Sequence, residues 1–142
     1  MADNYCMLRG VFAMWCLALA SVGCSTSDSP QGVGDQFVQA YYVQIDQAQA
    51  LEFTMGLARE RLHQELQRVA ALRQGSSLEL ARPQVSYTLA RTQPEGQQIL
   101  LVYDLTISPL QVKPISKKIL LIMEQRREQW KVLNFTETDA NP

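Results

Sequence analysis

Histidine and cysteine, the residue types that most often build metal centres and activated nucleophiles, are nearly missing from this chain. It holds one histidine, His63, and three cysteines, Cys6, Cys16 and Cys24, all before residue 25. A single imidazole with no thiolate partners makes no structural zinc site, and the residues beyond Cys24 have no thiol for a disulfide or a covalent intermediate. No metal and no cofactor is therefore expected. Charge of one sign is also lacking, since 13 Lys and Arg stand against 14 Asp and Glu. That balance excludes the basic footprint of a nucleic-acid binder and leaves little to hold an anionic membrane surface by charge alone. Repeats and low-complexity segments are absent from the part of the chain that reads as folded.

What is present begins with an apolar N-terminal segment. Arg9 is followed by an uncharged apolar run and then by the small residues Ser21, Gly23 and Cys24, the order of n-region, h-region and cleavage site in a secretory signal. The stretch from Gly10 to Cys24 is 15 residues, short of the roughly 20 that a helix needs to cross a hydrocarbon core of ~30 Å. A start at Met7 gives the more typical opening Met7-Leu8-Arg9, because Asp3 opposes a positive n-region.

Ser21-Val22-Gly23-Cys24 resembles the lipobox of bacterial lipoproteins, with Ser21 standing where that motif usually has an apolar residue. The resemblance implies cleavage between Gly23 and Cys24, removal of residues 1–23 as a signal peptide, and a diacylglycerol on the Cys24 sulfur. It also implies attachment to the membrane through that lipid. Two or more acyl chains give stable anchoring where one is marginal. Ala18-Leu19-Ala20 offers a rival site that would leave a secreted protein with a free thiol at Cys24, a liability in an oxidising compartment. Ser25 is compatible with delivery to the outer membrane, facing the periplasm.

Past Cys24, residues 24–34 are polar, small and aperiodic, and are expected to be a flexible tether. The folded domain is expected over 35–138, with 139–142 as a tail. Phe37, Val38, Tyr41, Tyr42 and Ile45 recur at helical spacing behind Asp35, a candidate N-cap; Asp46 marks a break and a second cap. A longer helix is expected from Thr54 to Arg73 with an apolar stripe of Met55, Ala58, Leu62, Leu66, Val69 and Leu72, stopped by Gly75-Ser76-Ser77. After Pro83 the apolar period changes to two, which predicts strands. A type I turn is expected at Gln93-Pro94-Glu95-Gly96 and a short one near Arg127-Glu128-Gln129. The strand from Gln98 to Ile107 is apolar on both faces, Ile99, Leu101, Tyr103, Leu105 and Ile107 against Leu100 and Val102. The next repeats the pattern, with Ile119, Leu121 and Met123 against Leu120 and Ile122.

Helices followed by antiparallel strands imply an α+β class, N-terminal helices packed on a curved antiparallel sheet. That order, the Tyr-rich first helix, the Asp46 break and a last strand with Trp130-Lys131-Val132 resemble the NTF2-like (SnoaL-like) superfamily over residues 35–138; a cystatin-like sheet around a helix is the alternative. The resemblance implies a cone that often encloses a pocket, and a homodimer formed through the open sheet face. Fold alone does not select among isomerases, dehydratases and binding modules.

The two-sided strands carry the functional expectation, since one face packs on helices and the other needs a second cover. A homodimer or an envelope protein partner would supply it. Among single residues, Asp104 would be a base only inside an apolar pocket, and is expected instead to pair with a Lys or Arg across the sheet. Asp46 is explained as a cap. Tyr41, Tyr42, Phe53 and Trp130 are candidate pocket residues, although aromatics at this spacing are more often core. His63 falls on the polar edge of its helix. No catalytic set emerges, so the expected function is a lipid-anchored envelope module that binds or assembles without catalysis. The competing readings are a small pocket enzyme using Asp104 or Asp46, and a purely structural lipoprotein.

Overall fold

A computed structural model describes residues 28–73 and 83–140, and gives an α+β domain of three helices on one face of a four-stranded antiparallel sheet. The signal, the cleavage pair Gly23 and Cys24, the side chain of Leu72 and the stop at Gly75-Ser76-Ser77 lie outside the described residues. Among the described residues no helix is long and apolar enough to cross a membrane.

The first helix, α1 (Pro30–Val38), starts earlier than the tether expectation allowed. Ser29 is its cap, with the Oγ accepting from the Gly32 N–H at 3.0 Å. Pro30 follows at the first helical position, where a missing N–H costs nothing and φ is already set. Asp35 is consequently mid-helix rather than a cap, and its carboxylate accepts from the Tyr103 hydroxyl at 2.7 Å. Helix α1 widens into a π-helical turn over Gln39–Val43, which carries Tyr41 and Tyr42. Ile45 then takes a left-handed φ of 56° and reverses the chain. Asp46 caps α2 (Gln47–Glu52) by accepting from the Gln49 N–H at 2.9 Å, as the sequence predicts.

Between α2 and α3 (Gly56–Arg73) the backbone borrows the edge of the sheet: Val132 donates to the Phe53 carbonyl and Met55 donates to the Val132 carbonyl, both at 2.9 Å. Ala58 and Leu62 of the predicted α3 stripe are fully buried, while Leu66 and Val69 are half-buried. His63 is exposed.

The sheet is a meander in the order β1 (Gln84–Glu95), β2 (Gln98–Ser108), β3 (Ile115–Arg126), β4 (Gln129–Asp139). The first turn differs from the expected type I arrangement. Pro94 and Glu95 stay in β1, opposite Ile99 and Gln98, and the reversal is made by Gly96-Gln97 with Gly96 at φ 62°. A two-residue hairpin needs the primed turn geometry that matches strand twist, and only Gly adopts it there without cost. Pro94 is tolerated because β1 is an edge strand.

The two faces divide as the apolar parities predict. Leu101, Tyr103, Leu105, Ile119, Leu121, Met123, Val132 and Phe135 point toward the helices and are buried with Phe37, Val38, Ala50, Ala58 and Leu62. Leu100, Val102, Leu120 and Ile122 point the other way and are half-buried. Gly34 is where α1 lies closest to this core: a Cβ there would stand 2.6 Å from Leu101 Cδ1 and 2.8 Å from Tyr103 Oη.

Candidate functional site

The outer face of the sheet has an apolar centre built by register. Leu100 lies opposite Ile122 and Val102 opposite Leu120, so four aliphatic side chains on β2 and β3 form one contiguous square. Polar groups frame it. Lys118 Nζ donates to Asp104 Oδ1 at 2.7 Å at one end, and Gln98 Nε2 donates to Glu124 Oε2 at 3.2 Å at the other. Thr88 and Arg91 of β1 and Asn134 and Thr136 of β4 complete the border across the register. Among the described residues no helix covers this face, because all three pack on the opposite one.

Asp104 is thus a rim residue. It and Lys118 are each 51 % exposed, so its carboxylate does not sit in the apolar pocket that base chemistry would need. The cross-strand partner expected from the sequence is the one found. Asp46 is the cap of α2.

The four aromatic pocket candidates separate into two pairs. Phe53 and Trp130 line an open groove of about 520 Å³ under the β3–β4 turn, together with Val33, Arg127, Glu128 and Lys131. Tyr41 and Tyr42 do not line it. They belong to a packed aromatic cluster in which Tyr41 stacks on Phe37 at 5.6 Å and meets Phe135 edge-on at 5.2 Å. Their hydroxyls are spent on carboxylates: Tyr41 donates to Glu65 at 2.8 Å and Tyr42 to Glu137 at 3.0 Å. Arg61 ties the two acids together, reaching Glu65 at 3.1 Å and Glu137 at 3.9 Å with its guanidinium 4.3 Å from the Phe135 ring centre. Lys117 adds a 3.2 Å contact to Glu137.

Burial, reinforced by the neighbouring carboxylates, raises the pKa of Tyr41, Tyr42 and Tyr103 far above the ordinary phenol value of 10.0. These groups are neutral hydrogen-bond donors, not acids poised for transfer near neutrality. This network is invisible to sequence reasoning, because Arg61, Glu65, Lys117 and Glu137 come from three elements and each looks like an ordinary surface charge. Among the described residues no group of three or more His, Cys, Asp or Glu is arranged to hold a metal ion.

The β3–β4 turn has its own peculiarity. Arg126 pairs with Gln129, and the two residues between them, Arg127 and Glu128, both take left-handed φ values, 51° and 66°. A type I′ turn asks for this at both central positions, and Asn-Gly is the sequence that adopts it most cheaply. Long charged side chains hold it here instead.

No family model, no curated protein and no solved structure matches this chain.

Proposed function

We propose that the protein is a bacterial envelope lipoprotein, anchored by lipid on Cys24 and facing the periplasm from the outer membrane, whose domain is a non-catalytic binding module of NTF2-like form. Its docking surface is the outer face of the sheet, and the occupant is a second copy of the chain. The observation that carries this reading is the aliphatic square of Leu100, Val102, Leu120 and Ile122, which no described helix covers and which polar side chains border. An apolar centre inside a polar rim is the anatomy of a protein interface. The face is large enough: four strands of about eleven residues make roughly 19 by 36 Å, near the ~800 Å² that each partner gives to a standard interface. Three helices laid on one face, rather than a single helix gripped by the sheet, favour the NTF2-like form over the cystatin-like one.

Sedimentation of the mature chain tests this. A dimer that Val102→Arg converts to a monomer, with unchanged circular dichroism, is the expected result. A wild-type monomer, or a dimer indifferent to that substitution, would refute it.

A further inference from the structure

We infer that the turn end of the β3–β4 hairpin is a membrane-facing surface that rests among the zwitterionic phospholipid headgroups of the bilayer holding the anchor. This rests on the lipidated Cys24 of the proposed function and specifies which end of the domain meets the lipid. The first argument is covalent reach. Asp28 lines the groove beneath the β3–β4 turn, and the four residues from Cys24 to Asp28 extend at most about 14 Å in any conformation. The strands are about 36 Å long at eleven residues each. The other end of the sheet, with the Ser108–Ile115 connection, stands about a strand length from that groove, more than twice the anchor's reach.

Side-chain chemistry agrees. Trp130 and Phe53 form the apolar wall of the groove, and Arg127 and Lys131 stand beside them. An amphipathic indole with long cationic side chains around it is what sits at headgroup depth, the ring among the carbonyls and the cations reaching outward. Lys131 Nζ donates to the Glu52 carbonyl at 2.7 Å, and an ammonium has two further protons to offer a phosphate. Glu128 lines the same groove. Both signs together complement a headgroup that carries a phosphate and an ammonium, not an anionic surface. The left-handed backbone at Arg127 and Glu128 points the same way, because a strained turn kept where Asn-Gly would relax it marks a position whose side chains matter.

The chain has two tryptophans, Trp15 and Trp130, and cleavage before Cys24 leaves Trp130 as the sole indole. Full-length protein matured in a bacterial host and placed in phosphatidylcholine vesicles containing lipid brominated near the glycerol end gives a direct reading. Mass spectrometry first establishes that the lipid is attached. Trp130 emission should be quenched at least about twofold more than that of a reporter at position 110 in the Trp130→Phe, Leu110→Trp protein, and added salt should leave the quenching unchanged. Leu110 is 70 % exposed in the β2–β3 connection, so that change leaves the core untouched. Equal quenching at both positions, or wild-type Trp130 emission indifferent to the brominated lipid, would overturn the orientation while leaving the anchor intact. A mature mass without lipid would overturn the anchor and this inference with it.

Discussion

Gly34→Ala sets two known effects against each other at one position. In a helix interior, replacing Gly by Ala gains about 1 kcal/mol from reduced backbone entropy in the unfolded chain. Gly34 is a residue of α1, so an isolated helix would be stabilised. In the folded domain the new methyl would lie 2.6 Å from Leu101 Cδ1 and 2.8 Å from Tyr103 Oη. Both neighbours are fully buried, and the Tyr103 hydroxyl is further fixed by its 2.7 Å bond to Asp35. Neither can swing into solvent, so α1 must lift from the sheet or the tyrosine must abandon its carboxylate. Overpacking of this kind costs ~1–3 kcal/mol, and a lost hydrogen bond to a charged acceptor a further ~1.5–3 kcal/mol if that is the route taken. Set against that gain, the net loss is up to about 2 kcal/mol by overpacking alone and about 1.5–5 kcal/mol where the hydrogen bond also goes, and each kcal/mol lowers Tm of a domain of this size by about 4–8 °C. Urea unfolding followed by circular dichroism measures it, and the double variant with Tyr103→Phe should recover part of the loss because one of the two colliding atoms is gone. A Gly34→Ala protein as stable as the wild type, or more so, would mean that α1 does not seat on Leu101 and Tyr103 as described.

Glu128→Gly should stabilise the domain by about 1 kcal/mol, since Gly adopts the left-handed turn position without a Cβ penalty; an unchanged urea midpoint would remove the strain from consideration. The contribution of three tyrosines to stability should be level up to about pH 10 and fall above it. The raised phenols of Tyr41, Tyr42 and Tyr103 keep their protons in the folded chain while the unfolded chain releases them from the ordinary value of 10.0 upward, so rising pH favours unfolding. Phenolate absorbance that rises well before circular dichroism is lost would contradict this. Asp104→Asn should change stability by no more than about 0.5 kcal/mol, as a pair exposed on both sides is screened by water, and a larger loss in urea titration would show that the rim pair matters more than its exposure allows.

Much of this architecture is legible in the sequence because two periods carry it. The change from 3.6 to 2 after Pro83 locates the strands, and the parity of Leu101, Tyr103 and Leu105 against Leu100 and Val102 assigns the faces without reference to any helix. The start of α1 was legible too, in Ser29-Pro30, a cap followed by the residue best suited to the first turn, but the polar composition around it reads as tether. The turn at Gly96-Gln97 was obscured by Pro94, whose preference for turn corners is real but yields to hairpin twist at an edge strand. The Tyr41, Tyr42, Arg61, Glu65 and Glu137 network was not legible, since spacing along a chain says nothing about polar groups that meet across a separation of 95 residues. The groove was legible by half: Phe53 and Trp130 reach it, and Tyr41 and Tyr42, equally aromatic, are turned into the core by the π-helical turn.

Orientation at the membrane and association through the sheet face bear on each other. The β1–β2 and β3–β4 turns lie at the same end of the meander, because Gln98 follows one turn and pairs with Glu124 just before the other. With that end on the bilayer the strands stand upright, and the square of Leu100, Val102, Leu120 and Ile122 faces sideways, parallel to the membrane. Two copies can then meet face to face about a two-fold axis along the membrane normal, with both anchors in the same leaflet. Confinement to a surface raises the effective concentration of one copy around another without any new contact, as a linker of fixed reach does. The dimer that the sheet face forms in solution is therefore strengthened on the membrane. Lipid-anchored protein should accordingly cross-link through the outer face at bulk concentrations too low for the unanchored Cys24→Ala chain to dimerise. Equal cross-linking of the two forms would mean that the sheet face binds in solution with no help from the anchor.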